Sequence, residues 1–271
     1  MNSRWHKAAL RSGCWFLTAA LACSASAQPI PVRYVEGTLH GFLSLRAQDG
    51  SVVAVGDLFQ TVRGDRVTAH LMFRFKDGSM DDDVTVFSQR GTFRLITDHH
   101  VQTGPTFPQP MDLLIDVPHG QVTSRSKGKD GKDEVKTHQM TLPPDLANGL
   151  VSLVVKNIRP ETLETKVSML VATPELRIVK LAISPRGEDS FMLLGSQRKA
   201  LHYNIQIQLG GVTGVVATLI GKHPPDLQIW ILGANAPTFL REQGPFFQDG
   251  PIWTMALASP DWPAAPPTPG N

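Results

Sequence analysis

The chain is poor in cysteine. Its 271 residues include two, Cys14 and Cys23, and both lie in the first 23 positions. Once an N-terminal signal is removed, the remaining chain can form neither a disulfide nor a cysteine metal site. Stability must then come from a hydrophobic core, and a chain of this length is long enough to build one.

The chain also lacks a strong excess of charge and the linear motifs of common enzymes. Lys and Arg number 26 and Asp and Glu number 24, and three of the basic residues fall in the first 11 positions. Without them the charge is close to zero, which gives no electrostatic case for nucleic acid. No Gly-x-Ser-x-Gly, His-Glu-x-x-His or phosphate-loop motif occurs. We therefore predict no catalytic residue, no metal and no cofactor. An enzyme is disfavoured but stays open, because catalytic groups on separate strands leave no linear motif.

The longest apolar run near the N-terminus is too short to span a bilayer. It extends from Cys14 to Cys23, follows basic residues and precedes small residues at 25–27. This order predicts a secretory signal peptide over residues 1–27 and a periplasmic or extracellular protein with no transmembrane helix after cleavage. Residues 20–23 loosely resemble a bacterial lipoprotein box, so lipid anchoring at Cys23 is the less favoured alternative.

Alternating apolar and polar residues dominate the rest of the chain. Val67, Leu71 and Phe75 share one side of a segment whose other side carries polar residues, and the stretch from Leu201 to Leu209 alternates in the same way. Turn residues separate such stretches at short intervals. The pattern predicts about ten to twelve antiparallel strands in a single β domain over residues 28–262, followed by a Pro-rich tail at 263–271.

One stretch has helical rather than strand periodicity. Between Leu142 and Ile158, apolar residues recur at the spacing of one wide helix face, which predicts a central helix over residues 145–158. A weaker pattern predicts a possible short second helix over 212–220. This number of strands, together with one apolar helix, favours a strongly curled antiparallel sheet, or an incomplete barrel, around the helix.

Three short sequence segments resemble those of a known group of proteins. They are Leu-Pro-Pro-Asp-Leu-Ala-Asn-Gly-Leu at 142–150, Ile-Trp-Ile at 229–231 and Gly-Pro-Ile-Trp at 250–253. Together with the signal peptide they resemble an uncharacterised family of bacterial secreted β proteins, a domain of unknown function. The layout is similar to periplasmic lipoprotein-carrier proteins, in which a curled sheet holds helices against an apolar hollow. The resemblance implies no catalytic residues.

Clusters of histidine and aspartate are candidate metal sites, but their spacing argues against metal binding. Asp98, His99 and His100 are consecutive, but neighbouring residues of a strand point to opposite faces and cannot share one metal. We interpret them as a strand end that runs into a loop. The acidic run at 81–83 lacks the alternation of a calcium loop. His40, His70 and His202 lie on polar strand faces, where we expect solvent exposure, or ligand contact if those faces line a hollow.

These observations predict a non-catalytic cell-envelope protein that binds an apolar ligand, such as an acyl chain or a lipoprotein. The alternative is a structural or assembly module that binds a partner envelope protein through a sheet edge. The residues expected to contact the ligand are Leu146, Leu150, Leu153, Val154, Trp230 and Trp253. The alternative for each of them is a role in the hydrophobic core alone.

Overall fold

The computed structural model describes residues 29–127, 132–172, 175–193, 195–208, 224–233 and 236–258. This part of the chain contains fourteen strands and one α-helix. The strands are β1 (Leu39–Arg46), β2 (Val52–Arg63), β3 (Arg66–Phe75), β4 (Met80–Ser88), β5 (Arg94–Thr103), β6 (Met111–Asp116), β7 (Gln121–Lys127), β8 (Asp133–Gln139), β9 (Thr165–Val171), β10 (Arg177–Leu193), β11 (Ser196–Gln208), β12 (Leu227–Leu232), β13 (Thr238–Pro245) and β14 (Ile252–Leu257). The helix is α1 (Val151–Asn157).

All fourteen strands form one antiparallel sheet made of two meanders. Strands β1 to β8 pair in sequence, strands β9 to β14 do the same, and the pairing of β1 with β14 joins the two halves. The sheet does not close, so β8 and β9 are its two edges. Residues 140–164, which include α1, connect one edge to the other.

The sheet curls because its inner face is apolar and must be covered. One buried cluster combines Val67 of β3 and Ile115 of β6 with Ile183 of β10 and Ile205 of β11, strands from opposite halves of the sheet. Side chains of α1 lie in the same cluster. A second cluster, on β1 to β3 and β14, includes Phe73 and Trp253. The two halves therefore wrap around the helix and around a separate aromatic core.

The broad fold predicted from the sequence is confirmed, and two of its details are corrected. The sheet has fourteen strands rather than ten to twelve. The helix covers residues 151–157 rather than 145–158. The predicted helix over 212–220, the signal peptide and the Pro-rich tail lie outside the described residues.

The helix is short because the residues before it bond to a strand. Ala147 donates its backbone N–H to the Ser168 carbonyl of edge strand β9 at 2.8 Å, and Ser168 donates to the Asp145 carbonyl at 3.2 Å. The amide of Asn148 bonds to the backbone of Leu170 in both directions, at 2.9 Å each. Gly149 then adopts a left-handed φ of 64°, which separates this segment from the helix. The apolar spacing of the segment is real, but it is shared between a series of turns bonded to β9 and the short helix.

Gly149 gives a first testable prediction. A Cβ at this position would lie 1.9 Å from Thr85 Oγ1 and 2.7 Å from Asp98 Oδ1, whereas a Cβ at Gly50, also at positive φ, meets open space. Gly149→Ala should lower the free energy of unfolding by about 3 kcal/mol or more, and Gly50→Ala by about 1 kcal/mol, the cost of left-handed backbone alone. Urea titration of both variants measures the difference. Equal losses would contradict the close packing of Gly149 on β4 and β5.

Candidate functional site

A gap lies beside the C-terminal end of α1, between the helix and the inner face of β11 and β12. Its volume is about 180 Å³. The residues that line it are Arg33, Tyr34, Val155, Lys156, Ile158, Pro160, Leu201, Tyr203, Ile231, Gly233 and Pro237. Its walls on the helix and the two strands are thus mainly apolar, and positive side chains lie at one side.

The segment before β1 closes this gap from outside. The backbone N–H groups of Arg33 and Tyr34 both donate to Asn157 Oδ1, at 2.8 and 2.9 Å. The Arg33 guanidinium donates to the Ile158 carbonyl at 3.1 Å, and Lys156 Nζ pairs with buried Glu36 at 2.6 Å. We call residues 30–36 the strap, because they hold the end of α1 through side-chain amides and charges rather than through regular secondary structure.

A buried group of acids lies at the other end of the helix, on the inner face of β4 and β5. Thr85 Oγ1 is 3.0 Å from Asp98 Oδ1 and 3.3 Å from Asp83 Oδ1. Burial raises the pKa of Asp83 well above its ordinary value, and the charge of Asp98 raises it further. Burial also raises the pKa of Asp98, while His100 opposes that rise. A hydrogen bond between the two carboxyl groups raises the pKa of Asp83 and lowers that of Asp98, so it favours the protonated form of Asp83.

His100 supplies the positive charge of this acidic cluster. Its Nε2 lies 2.6 Å from Asp81 Oδ1. Burial alone would lower the pKa of His100, but the hydrogen bond to Asp81 and the charges of Asp81, Asp83 and Asp98 raise it to about 9. An imidazolium therefore lies among three carboxyl groups at neutral pH, and its positive charge offsets part of the free-energy cost of burying them.

Glu242 is a second ionisable group on the inner face. It lies on β13 opposite Ile229 and Met255, both of which are buried. Burial raises the pKa of Glu242 to about 7. Within the described ranges its carboxylate has no hydrogen bond or ion pair. The charged form of Glu242 is therefore stabilised only by its remaining contact with solvent.

The structure distributes the six predicted contact residues over three clusters. Leu146, Leu150, Leu153 and Val154 pack together in the main core around α1. Trp253 belongs to the aromatic core and borders a shallow cleft of about 460 Å³ next to the turn between β1 and β2.

Trp230 lies apart from the other five, on the outer face of the sheet. Its Nε1 donates to Asp189 at 2.7 Å, its ring stacks on His202, and the Arg241 guanidinium lies 4.0 Å from the ring centroid. The gap beside α1 is therefore lined mainly by residues that the sequence did not single out.

The histidine pair is placed differently from its interpretation as a strand end. His99 and His100 lie inside β5, and their opposite directions are confirmed: His99 Nε2 contacts Asp112 at 3.0 Å, whereas His100 contacts Asp81. The available signal for the acidic cluster was the spacing of Asp81 and Asp83, which face the same side of one strand. Over the described residues, no group of three or more His, Cys, Asp or Glu side chains is arranged to hold a metal ion.

Comparison with known proteins gives fold-level similarity alone. No protein-family model and no curated protein matches the chain. A β-barrel-like protein of domain of unknown function DUF1849 from Brucella abortus aligns with a TM-score of 0.45 and 9% identity, over 83% of this chain and 98% of that one. The hypothetical lipoprotein YmcC from Escherichia coli aligns with a TM-score of 0.37 and 8% identity, over 82% and 85%. At these TM-scores and identities, neither alignment supports an inference about the family or the function of the chain.

Among the residues that the structure describes, no helix combines the length and apolar character needed to cross a membrane.

The pKa of Glu242 gives a second prediction. Its shift from 4.5 to about 7 means that the folded state binds this proton more tightly, so the associated stability is complete below pH 4.5 and is lost as the pH rises through 7. Glu242→Met should therefore raise the free energy of unfolding by roughly 2 kcal/mol at pH 8 and by little at pH 4.5. Glu161, which is 71% exposed, is the control for the same substitution. A gain that does not depend on pH would count against a buried, unpaired carboxylate.

His100 gives a third prediction, with its adjacent residue as control. Because its pKa rises from 6.5 to about 9, its contribution to stability is complete below pH 6.5 and is lost as the pH rises through 9. His100→Gln should cost about 3 kcal/mol at pH 6 and much less at pH 9.5. His99→Gln removes a half-exposed pair on the outer face and should cost less than about 1 kcal/mol. Denaturant titrations at the two pH values separate these outcomes, and equal behaviour of the two variants would refute the inner-face role of His100.

Proposed function

We propose that this chain is an exported cell-envelope protein that binds an apolar ligand, such as an acyl chain, without converting it chemically. The ligand enters the gap between α1 and strands β11 and β12. The observation that carries the proposal is the apolar lining of this gap by Val155, Ile158, Leu201 and Ile231, with Arg33 and Lys156 at one side. A concave apolar site with few polar groups is the usual form of a small-molecule site.

The arrangement of charge suits an amphiphile with an anionic head. Arg33 is exposed, and its guanidinium donates to the Ile158 carbonyl and to the Tyr34 hydroxyl, which leaves further N–H donors open. An acyl chain in the gap would place a carboxylate or phosphate near this guanidinium. The head would then be bound by charge-assisted hydrogen bonds while the chain is removed from water.

The size of the gap implies that the strap moves. At about 180 Å³ it is smaller than the usual range of ligand sites, so a long chain enters only when more of the apolar surface becomes accessible. The strap is the element suited to open, because Asn157 and Lys156 hold its second half to α1 through polar contacts, while backbone hydrogen bonds to Gly91 and Phe93 anchor its first residues. Helix α1 would keep its packing on the sheet.

A second candidate function is assembly through a sheet edge, and one observation favours it. Edge strand β9 is covered by the backbone of residues 145–148. Edge strand β8 has no strand on its outer side within the described part of the chain, and Val135 on it is 57% exposed. An extended segment of a partner protein could pair with β8 by backbone hydrogen bonds. Crosslinking from β8 in native envelopes would reveal such a partner as a protein adduct that needs no lipid.

The apolar-ligand proposal gives a fourth prediction, based on two half-buried leucines. Leu201 lines the gap, whereas Leu71 faces the aromatic core, and both point inward from strands. Leu201→Trp should fill the gap and weaken binding of a fluorescent fatty acid about tenfold or more, equal to about 1.4 kcal/mol. Leu71→Trp should leave binding near wild type. Fluorescence titration gives the affinities, and thermal melting shows that both variants fold.

Mass spectrometry of a solvent extract provides an independent measurement. Wild-type protein purified without detergent should release an amphiphile in stoichiometric amount, and Leu201→Trp protein should release much less. The proposal is wrong if wild-type protein releases none and also fails to bind the fluorescent fatty acid. It is equally wrong if the two tryptophan variants lose binding to the same degree.

A further inference from the structure

The outer face of β1 to β6 carries two rows of side chains that run across the strands. The register of the six strands aligns the members of each row. The first row consists of His40, Phe59, His70, Val84, His99 and Leu114. The second row consists of Phe42, Asp57, Met72, Asp82, Val101 and Asp112. Histidine alternates with an apolar residue in one row, and aspartate alternates with an apolar residue in the other.

The histidines and aspartates of the two rows form three equivalent pairs. The Nε2–Oδ1 distances are 3.2 Å for His40–Asp57, 2.6 Å for His70–Asp82 and 3.0 Å for His99–Asp112. The histidine side chains are 40%, 37% and 40% exposed, so the three pairs have nearly the same environment. Each pair fixes the orientation of a ring and a carboxylate before any ligand arrives, which lowers the entropic cost of binding.

The paired groups keep unused hydrogen-bonding capacity. Each histidine uses one ring nitrogen in its pair, and within the described residues the other nitrogen makes no hydrogen bond. Arg74 also bonds to Asp57, and Arg125 to Asp112, at 3.3 and 3.2 Å. The rows therefore offer both donors and acceptors at fixed positions.

Apolar rings lie exposed between the pairs. Phe42 is 57% and Phe59 is 48% exposed, and the His40 ring stacks on Phe59 with centroids 3.9 Å apart. Exposed aromatic surface next to oriented polar groups is unfavourable in water and typical of a binding surface. Because neighbouring strands are about 4.8 Å apart, the polar and apolar pattern repeats about every 9.6 Å along the rows.

The geometry points to an extended β-linked polysaccharide strand as the occupant of these two rows. A sugar ring has an apolar C–H face and a rim of hydroxyl groups, which match an exposed ring or aliphatic side chain beside a fixed His–Asp pair. In a β-1,4-linked chain every second sugar presents the same edge, so its contacts repeat over a distance close to two strand spacings. Three His–Asp pairs then correspond to three disaccharides.

Two other kinds of partner fit this surface less well. The core of a protein–protein interface is depleted in charged residues, whereas charged pairs run through the middle of both rows. An anionic bilayer attracts clusters of Lys and Arg. The two rows contain three carboxylates but no Lys and no Arg. The surface is also separate from the gap beside α1, so this inference does not depend on the proposed acyl ligand.

The test uses purified full-length mature chain and chemically defined glycans. Chitin and cellulose beads should retain the protein, and amylose beads, whose linkages are α, should not. In calorimetric titration, chitin hexasaccharide should bind roughly tenfold or more tightly than the disaccharide, because it reaches all three pairs. Phe59→Ala and Asp82→Asn should each weaken hexasaccharide binding roughly tenfold, the loss expected for one strong contact.

Control variants separate recognition from folding. His119→Ala removes an exposed His–Asp pair outside the rows, with a 2.9 Å contact to Asp116, and should leave glycan affinity unchanged. Phe59→Tyr should retain binding, and Phe59→Ala should still bind the fluorescent fatty acid. Failure of both β-linked polymers to retain the protein overturns the inference. So does equal affinity for the two oligosaccharides, equal loss in His119→Ala, or retention by phosphatidylglycerol vesicles alone.

Discussion

The whole fold depends on how one open sheet covers both its edges and its inner face. Fourteen curled antiparallel strands leave two edges of unpaired backbone groups and a large apolar surface. One connection, residues 140–164, covers part of one sheet edge and part of the apolar inner face. Its first part bonds to edge strand β9 at Ser168 and Leu170, and its second part is the helix that fills the sheet. Gly149 lies between the two parts, and its left-handed backbone allows the chain to pass from the turns on β9 into the helix.

The same connection explains why charge is buried on β4 and β5. Gly149 packs on Thr85 and Asp98, so the start of the helix segment covers a stretch of the inner face that is polar rather than apolar. Isolated carboxylates there would be too costly, and the protein stabilises them by the hydrogen bond between Asp83 and Asp98 and by the His100 imidazolium. Burial of Glu242 has no such compensation. The inner face therefore contains one balanced ionisable cluster and one unbalanced group.

The sequence was sufficient for most of the strands and insufficient for the contacts between them. Alternation in Val67 to Phe75 and in Leu201 to Gln208 reflects a side-chain period of two, which depends only on local residues. The length of the helix was overestimated because apolar spacing cannot reveal that Leu146 and Ala147 pair with a strand. The acidic cluster and the two outer rows depend on register. Asp98 meets Thr85, and His70 meets Asp82, only because each hairpin aligns at one offset.

The consecutive residues His99 and His100 show how one strand serves two systems. His100 points inward, where three carboxyl groups near the start of the helix segment keep it charged against the opposing effect of burial. His99 points outward, where it is half exposed in one of three repeated pairs. A shift of one residue in the pairing of β5 would exchange them, breaking the inner charge balance and the outer row at once. The stability of the interior therefore fixes the register on which the outer surface depends, so that surface pattern is maintained by the energetics of the core.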